Sequence, residues 1–433
     1  MKKPACYNEF HLSMLIHNSS QLITLTPSPQ RGKDLGTLSI IDHGAVLFHG
    51  ELIEAVGTSE DLLRKYPNER RLDVHGKVVM PGLVDPHTHL VWAGDRAAEF
   101  EMRLQGKTYM QIMAAGGGIQ STVNATRAAK KTDLLAQTRD RANTMFACGT
   151  TTAEAKTGYG LQLSTELAQM ETLLELDEQG PLEILPTFLA AHAVPAEFKD
   201  DPEGYTQLVT GQMLPTLKDW WHDHAGDRPL PFVDVFCEKG AFNLAQTHRI
   251  LDSAKALGFP LKVHTDEFEN IGGTQLAIEM GAVSADHLVK TSADDILAFS
   301  DSPTVAVALP CTPFGLAEGQ YTPAKAIVDS GGILAIASDL NPGTAWCESM
   351  QFVMALACRY LHLTPAQALA AASINAAAAI RCEERLGSLH PGKQADILTL
   401  TVSDYRHLAY RFGENLVDTV FKKGNRILPT TPK

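Results

Sequence analysis

The sequence predicts an α/β protein: a TIM-like (β/α)8 barrel carrying a small composite β-sandwich made from its N- and C-terminal segments. Three observations predict it. Eight short apolar runs rich in β-branched residues fill the middle of the chain, most of them followed by a helical pattern. Strand-like runs of similar texture stand at both ends. The length of 433 residues suits one large barrel plus an accessory domain. The expected boundaries are 1–78 for the first part of the sandwich, 79–388 for the barrel and 389–433 for the second part.

The elements follow in order. LITLT, GAVLFHG and ELIEAVG read as strands separated by turn-forming Gly, Pro and Asp, and the same style returns in DILTL (Asp396–Leu400) and LVDTVFK (Leu416–Lys422). The barrel runs are Val78–Val84, Gly149–Ala153, Ile184–Ala190, Phe232–Cys237, Leu261–Val263, Ala282–Ala285, Thr304–Leu309 and Ile333–Ala337. Runs this short and continuously apolar suit strands buried on both faces. Between them, Asp133–Phe146 and Ser164–Asp177 read as helices, and Thr364-Pro365 opens an Ala-rich helix with a capping residue and a proline in the first turn. Gly116-Gly117-Gly118 reads as a flexible turn, because no Lys-Ser/Thr follows to make a phosphate loop.

Composition narrows the functional classes. Apolar residues make up 44% and charged residues 20%, the balance of an ordinary globular protein. A net charge of −13 repels phosphate backbones and argues against nucleic acid as a partner, while one local Arg still suffices for a small anionic substrate. The seven cysteines (Cys6, Cys148, Cys237, Cys311, Cys347, Cys358, Cys382) form no C-x-x-C pair, which points to inert thiols in a reducing compartment. MKKPACYNEFHLSMLIHNSS has polar residues where a signal core would be apolar, and no stretch approaches the ~18 apolar residues of a membrane span. A cytoplasmic protein without a membrane partner is expected.

The strongest chemical signal is a set of histidines at strand ends. His-x-His occurs twice, but with 16 His in the chain such a pair arises readily from composition, so context decides. His222-Asp223-His224 sits in a polar, turn-rich stretch and reads as a solvated loop. His87-Thr88-His89 ends the run VVMPGLVDPHTH, where alternate residues face the same way and both imidazoles can face the barrel interior. Leu261–Val263 runs into His264, Ala282–Ala285 into Asp286-His287, and Ile333–Ala337 into Ser338-Asp339. Three imidazoles and a carboxylate from strands one, five and eight can converge on one ion and leave room for water, a donor set that suits zinc or iron.

These residues resemble the amidohydrolase superfamily, whose members hydrolyse C–N bonds with metal-activated water. VMPGLVDPHTH, the strand-five and strand-six histidines, the strand-eight Asp and LGSLHPGKQADILTL carry the resemblance over essentially the whole chain. HTHLVWAGDRAAEFEMRLQG, AAGGGIQSTVNATR, EAKTGYGL, FLAAHAVP, VHTDEF and SDLNPGT are similar to one branch of it. That branch opens 4-imidazolone-5-propanoate to N-formimidoyl-L-glutamate in histidine degradation. The resemblance implies one Zn2+ or Fe ion per chain on His87, His89, His264 and Asp339, substrate contacts from Arg96, Tyr159, His192, Glu267, Asn341, Gly343 and Thr344, catalytic help from His287, and a homodimer.

The chemistry is consistent with those roles. Asp339 and His287 can take the proton of a metal-bound water, and Glu267, three residues after His264, can orient the water or deliver a proton to the leaving nitrogen. A substrate carboxylate needs a cation; Arg96, on a loop just after the first strand, can hold it bidentately, and His192 at the end of strand three can share the task. Lys156 and Lys239 lie near strand ends, where some superfamily members carry a carboxylated Lys bridging a second metal; the closer resemblance implies a single metal and ordinary lysines. Two other readings stand beside this one. A deaminase of a cyclic amidine fits the His264–Glu267 spacing but gives Arg96 no task. A non-enzymatic scaffold would have no reason to keep buried imidazoles converging with a carboxylate.

Overall fold

Why one continuous apolar run should serve two sheets is answered at Gly82. In the computed structural model, which describes residues 13–107, 111 and 116–428, the run expected as the first barrel strand divides there. Val78–Pro81 joins the outer sheet, and only Leu83–Asp85 enters the barrel. A Cβ at residue 82 would stand 2.2 Å from the Thr151 hydroxyl oxygen. Glycine therefore lets the chain cross from one sheet to the next at a close approach. Its N–H donates to the Asp396 carbonyl at 2.9 Å.

The barrel proper has eight parallel strands hydrogen-bonded in chain order: Leu83–Asp85, Thr150–Lys156, Glu183–Ala191, Phe232–Cys237, Leu261–Thr265, Ser284–His287, Val305–Ala308 and Leu334–Ile336. The ring is drawn together by a parallel bridge between Thr88 and Leu340. Beside it, Asp85 accepts from the Ser338 backbone N–H at 3.1 Å and from its hydroxyl at 2.5 Å. The expected helices form as Lys131–Ala147 and Leu163–Gln179. Thr364 and Gln367 close a capping box at the start of Pro365–Ala371.

The two chain ends build the remaining sheets. Leu52–Thr58, Gly44–His49, Ser13–His17 and Arg71–Asp73 form one of four strands. Asn425–Ile427, Val417–Lys422, Ile397–Leu400, Val78–Pro81, Gln21–Ile23 and Ile40–Asp42 form one of six. Ile16, Val46 and Phe48 from the first pack against Leu22, Val79, Ile397 and Phe421 from the second, with the Phe48 and Phe421 rings 5.7 Å apart. Burial of such facing apolar strands is what makes a two-sheet sandwich. Glu183, near the start of the third barrel strand, ties this unit to the barrel: it takes both Arg385 and, at 2.8 Å, Lys422.

Two further expectations need correction or refinement. His222 and His224 lie in the last turn of the helix Leu214–His224, not in a loop. The His224 Nδ1 sits 2.7 Å from the Trp220 carbonyl and the ring stacks on Trp220; the Pro-rich turn that suggested a loop begins only after the helix. Gly118 precedes the helix Ile119–Ala128 with φ 78°, and its N–H is held by the Glu99 carboxylate at 2.7 Å. Cys6 lies outside the described residues; the other six cysteines are free thiols. No helix among the described residues is long and apolar enough to cross a membrane.

Barrel interiors of this kind are ordinarily filled by branched apolar side chains. Here the layer beneath the C-terminal mouth is charged. Glu154, Lys156, Asp234, Lys262 and Asp286 are all fully buried.

Candidate active site

The strand ends converge on one point. The His89 and His264 Nε2 atoms lie 3.2 Å apart. Asp339 Oδ1 is 3.6 Å from His87 Nε2 and 3.5 Å from His89 Nε2. Ligand bonds of about 2.0–2.2 Å around a tetrahedral ion give edges of roughly 3.3–3.6 Å, so these separations are close to those of a coordination polyhedron. His87 Nε2 and Asp339 Oδ1 are buried without a hydrogen-bond partner, as are both ring nitrogens of His287. Orphaned buried acceptors are costly, and an ion between them removes the cost. The residues fit a metal.

Carboxylates behind the imidazoles set their tautomers. Asp286 Oδ2 sits 2.6 Å from His87 Nδ1. Asp234 Oδ2 sits 2.9 Å from His264 Nδ1, and Asp234 Oδ1 accepts the His264 backbone N–H at 3.1 Å. Each carboxylate leaves an Nε2 lone pair for the ion. Thr312 donates its hydroxyl proton to Asp339 Oδ2 and so turns Oδ1 toward the histidines. His287 and Asp339 adopt positive φ, 81° and 54°, a backbone strain of about 1–3 kcal/mol per residue that clusters at functional sites.

A cavity of about 140 Å³ opens above this cluster. His89, His264, His287 and Asp339 form its floor; Arg96, Tyr159, His192, Glu267, Asn341 and Thr344 are among its walls. Gly343 does not line it. That glycine packs under Arg96, whose Nη1 would be 2.1 Å from a Cβ at residue 343. Its N–H and that of Thr344 each donate to Asn341 Oδ1 at 2.8 Å. Asn341 thus shapes the loop as well as facing the cavity.

Arg96 sits at the start of the helix Ala97–Leu104 rather than on an open loop. Its Nε donates to Glu99 at 2.9 Å and its Nη2 also donates to Glu99. One side of the guanidinium is therefore spent, and the outer edge remains for a ligand. The His192 ring stacks at 4.8 Å on His89, and its Nδ1 faces the Gly158 carbonyl at 3.0 Å. A carbonyl only accepts, so Nδ1 carries the proton, and Nε2 is suited to accept an N–H more than to hold a carboxylate.

Burial dominates the titrations. Desolvation, followed by neighbouring cations and imidazoles, holds His87, His89 and His287 well below the ordinary histidine range. Desolvation brings His192 to about 3, so it is neutral. Desolvation and then the Asp339 charge push the Glu267 carboxyl well above its usual range. Glu267 Oε2 lies 3.7 Å from His287 Nδ1. A neutral imidazole beside a proton-holding carboxyl is an arrangement for moving protons.

Known proteins match this chain along nearly its full length. The amidohydrolase family model matches residues 78–427. An imidazolonepropionase of Herpetosiphon aurantiacus is 50% identical over 415 residues, covering 96% of this chain and 97% of that protein. One of Chloroflexus aggregans is 46% identical over 419 residues, 96% of this chain and 98% of that protein. The chain belongs to the imidazolonepropionase family of amidohydrolases. A solved adenosine deaminase from Xanthomonas campestris with bound zinc shares the fold at a TM-score of 0.71, with 19% identity over 96% of this chain and 92% of its own.

The site also contains residues that the sequence reading did not single out. Glu154 lies behind the strand carrying the two paired histidines of this imidazolonepropionase-family site: it accepts the Thr88 N–H at 3.2 Å, and its carbonyl accepts the Thr88 hydroxyl at 2.7 Å. Glu238 accepts the backbone N–H groups of Phe268 and Glu269 and so fixes the loop bearing Glu267. Lys156, read as ordinary, is fully buried beneath the ligands, whereas Lys239 is exposed and pairs with Glu269 at 2.8 Å. Alternation would have revealed the interior charges. In TTTAEAK the two charges stand two apart, and in LKVHT Lys262 stands two from His264, on the face that points inward.

Proposed function

We propose that the protein hydrolyses the ring amide of 4-imidazolone-5-propanoate to N-formimidoyl-L-glutamate, using one Zn2+ or Fe ion per chain held by His87, His89, His264 and Asp339. The observation that carries this reading is the pairing, in one small cavity, of a four-donor metal cluster with an unspent guanidinium edge on Arg96. A metal bound there supplies a water of lowered pKa and polarises the scissile carbonyl.

The chain's own side chains do the rest. Arg96 holds the propanoate carboxylate by its outer edge, and the Tyr159 phenol, kept protonated by burial, donates from the adjacent wall. Neutral His192 accepts a ring N–H. His287, neutral and unpartnered, takes a proton from the attacking water together with Asp339. Water's oxygen bonds to the ring carbonyl carbon, the C–N bond breaks, and Glu267 delivers a proton to the departing nitrogen. Asn341, Gly343 and Thr344 keep the loop under Arg96 in place.

The purified metal-loaded protein tests this directly. It should consume the ring absorbance of 4-imidazolone-5-propanoate, yield the mass of formimidoyl-glutamate and release no stoichiometric ammonia. Release of ammonia from guanine or cytosine with the imidazolone untouched would replace the assignment with deamination. The six free thiols suit a reducing compartment, and we place the protein in the cytoplasm. We further propose a homodimer with no nucleic-acid or membrane partner. Exposed Tyr360, Tyr410 and Phe412 offer apolar area for the second copy, and light scattering on the eluting protein measures the mass.

A further inference from the structure

Two of the metal-site histidines lean on carboxylates, and those carboxylates share a neighbour. Lys156 ends the second barrel strand with its ammonium fully buried. Its Nζ donates to Glu154 Oε1 at 2.7 Å, stands 2.9 Å from Asp234 Oδ2 and 3.9 Å from Asp286 Oδ2. Asp234 orients His264, Asp286 orients His87, and Glu154 holds Thr88 between His87 and His89. Register explains the convergence. Parallel pairing sets Phe236 beside His264 and His264 beside Asp286, so inward residues of neighbouring strands stack in adjacent layers.

Three carboxylates this close inside a dry barrel repel one another strongly. Unbalanced, they would turn apart and release the imidazoles they hold. A cation placed among them offsets the repulsion: Lys156 holds Glu154 and Asp234 by direct contact and, with Lys262, balances the charge of Asp286. We propose that Lys156 is a positioning residue that aligns His87, His89 and His264 for the metal through Asp286, Glu154 and Asp234. Lys262 shares only in balancing Asp286. It lies 3.6 Å from Asp286, but its hydrogen bonds go to Ser284 and the Ala379 carbonyl, toward the barrel floor.

The inference rests on the metal-site reading, and cobalt separates the two. Apoprotein prepared with a chelator is titrated with Co2+ and followed by its visible d–d bands, and Zn2+ affinity is taken by competition. A wild type that takes up no cobalt at the histidines defeats the site reading itself. With wild type binding one Co2+, Lys156→Met should shift and weaken the cobalt bands and lower metal affinity by about 10–100-fold, the scale of lost support to ligating residues. At saturating metal, kcat should fall while KM stays within about twofold. Lys422→Met removes a buried cation at the other end of the barrel, so it should lower Tm and leave the cobalt bands as they are. Wild-type bands and affinity in folded Lys156→Met overturn the proposal, and so do equal spectral changes in Lys422→Met. If Lys156→Met does not fold, Glu154→Gln takes its place: it keeps the shape and removes one charge of the cluster. It should move the bands the same way by a smaller amount, and unchanged bands in it overturn the proposal.

Discussion

Replacing Arg96 with alanine removes two things at once. In the proposed reaction the substrate carboxylate loses its cation, and Glu99 loses the partner that offsets its burial. Arg96 and Glu99 side chains are only 14% and 8% exposed, and burial alone would raise the Glu99 carboxyl; Arg96 and the Gly118 N–H hold it below the usual range. Breaking a buried hydrogen-bonded charge pair at a binding site costs about 2–5 kcal/mol. Part of that is repulsion: two carboxylates roughly 6 Å apart at an effective dielectric near 20 oppose each other by about 2.8 kcal/mol. At 1.36 kcal/mol per factor of ten, Arg96→Ala should lower kcat/KM by about 10³-fold, mostly through KM. Arg96→Ala/Glu99→Gln, which removes the stranded charge, should recover roughly 10–100-fold of it. The assay is steady-state loss of imidazolone absorbance, with metal content measured on the same samples and expected to stay constant. Equal kinetics in the single and double variants would refute the stranded Glu99 charge as part of the loss, and a single variant within threefold of wild type would return Arg96 to an ordinary helix-start residue.

His264→Ala should lose metal and turnover together, and metal analysis of wild type should give about one ion per chain; two ions would bring Lys156 back as a bridging group, since Lys239 is exposed and paired with Glu269. Glu267→Gln keeps the shape but not the ionisable group, so metal should remain while kcat falls about 10²-fold or more; near-normal turnover would mean His287 and Asp339 move the protons alone. Burial opposes the Glu183 charge, but Lys422 and Arg385 overcome it and hold the carboxyl below its ordinary 4.5. A lowered folded-state pKa gives stability that is present above pH 4.5 and fades as the pH falls below it. Glu183→Gln should therefore cost about 3 kcal/mol or more near neutrality, and its Tm deficit should shrink in acid; a deficit unchanged down to pH 3 would show that the ion pair is not its source.

Much of the site could be read from the chain because its donors stand where apolar runs stop. His87, His89 and Asp339 follow a buried strand, and His264 and His287 stand in the last two residues of theirs, and hydropathy marks such ends well. What hydropathy does not mark is which sheet a strand joins. Val78–Pro81 and Leu83–Asp85 are both fully buried, so nothing but a crowded glycine separates them. The charged layer was hidden for the opposite reason. Lys156, Asp234 and Lys262 interrupt apolar runs, and a lone charge in a run reads as a strand end or a surface position until its partners are in view. Glu99 was hidden by its spacing: three residues after Arg96 it looks like any exposed helical ion pair, and only burial shows that it governs which edge of the guanidinium is left.

The bridge between Thr88 and Leu340 has a consequence for the order of events in the cell. A chain leaving the ribosome presents its N-terminal parts first, so His87 and His89 are available long before Asp339. Until the eighth strand closes against the first, those two imidazoles have neither the carboxylate nor His264 fixed opposite them. An ion arriving early meets a two-donor site that differs little from other histidine pairs on unfolded protein. Selectivity for the proposed ion would therefore begin only at ring closure, and a cell that supplies the ion afterwards would avoid filling the site with whichever metal binds nascent histidines most strongly.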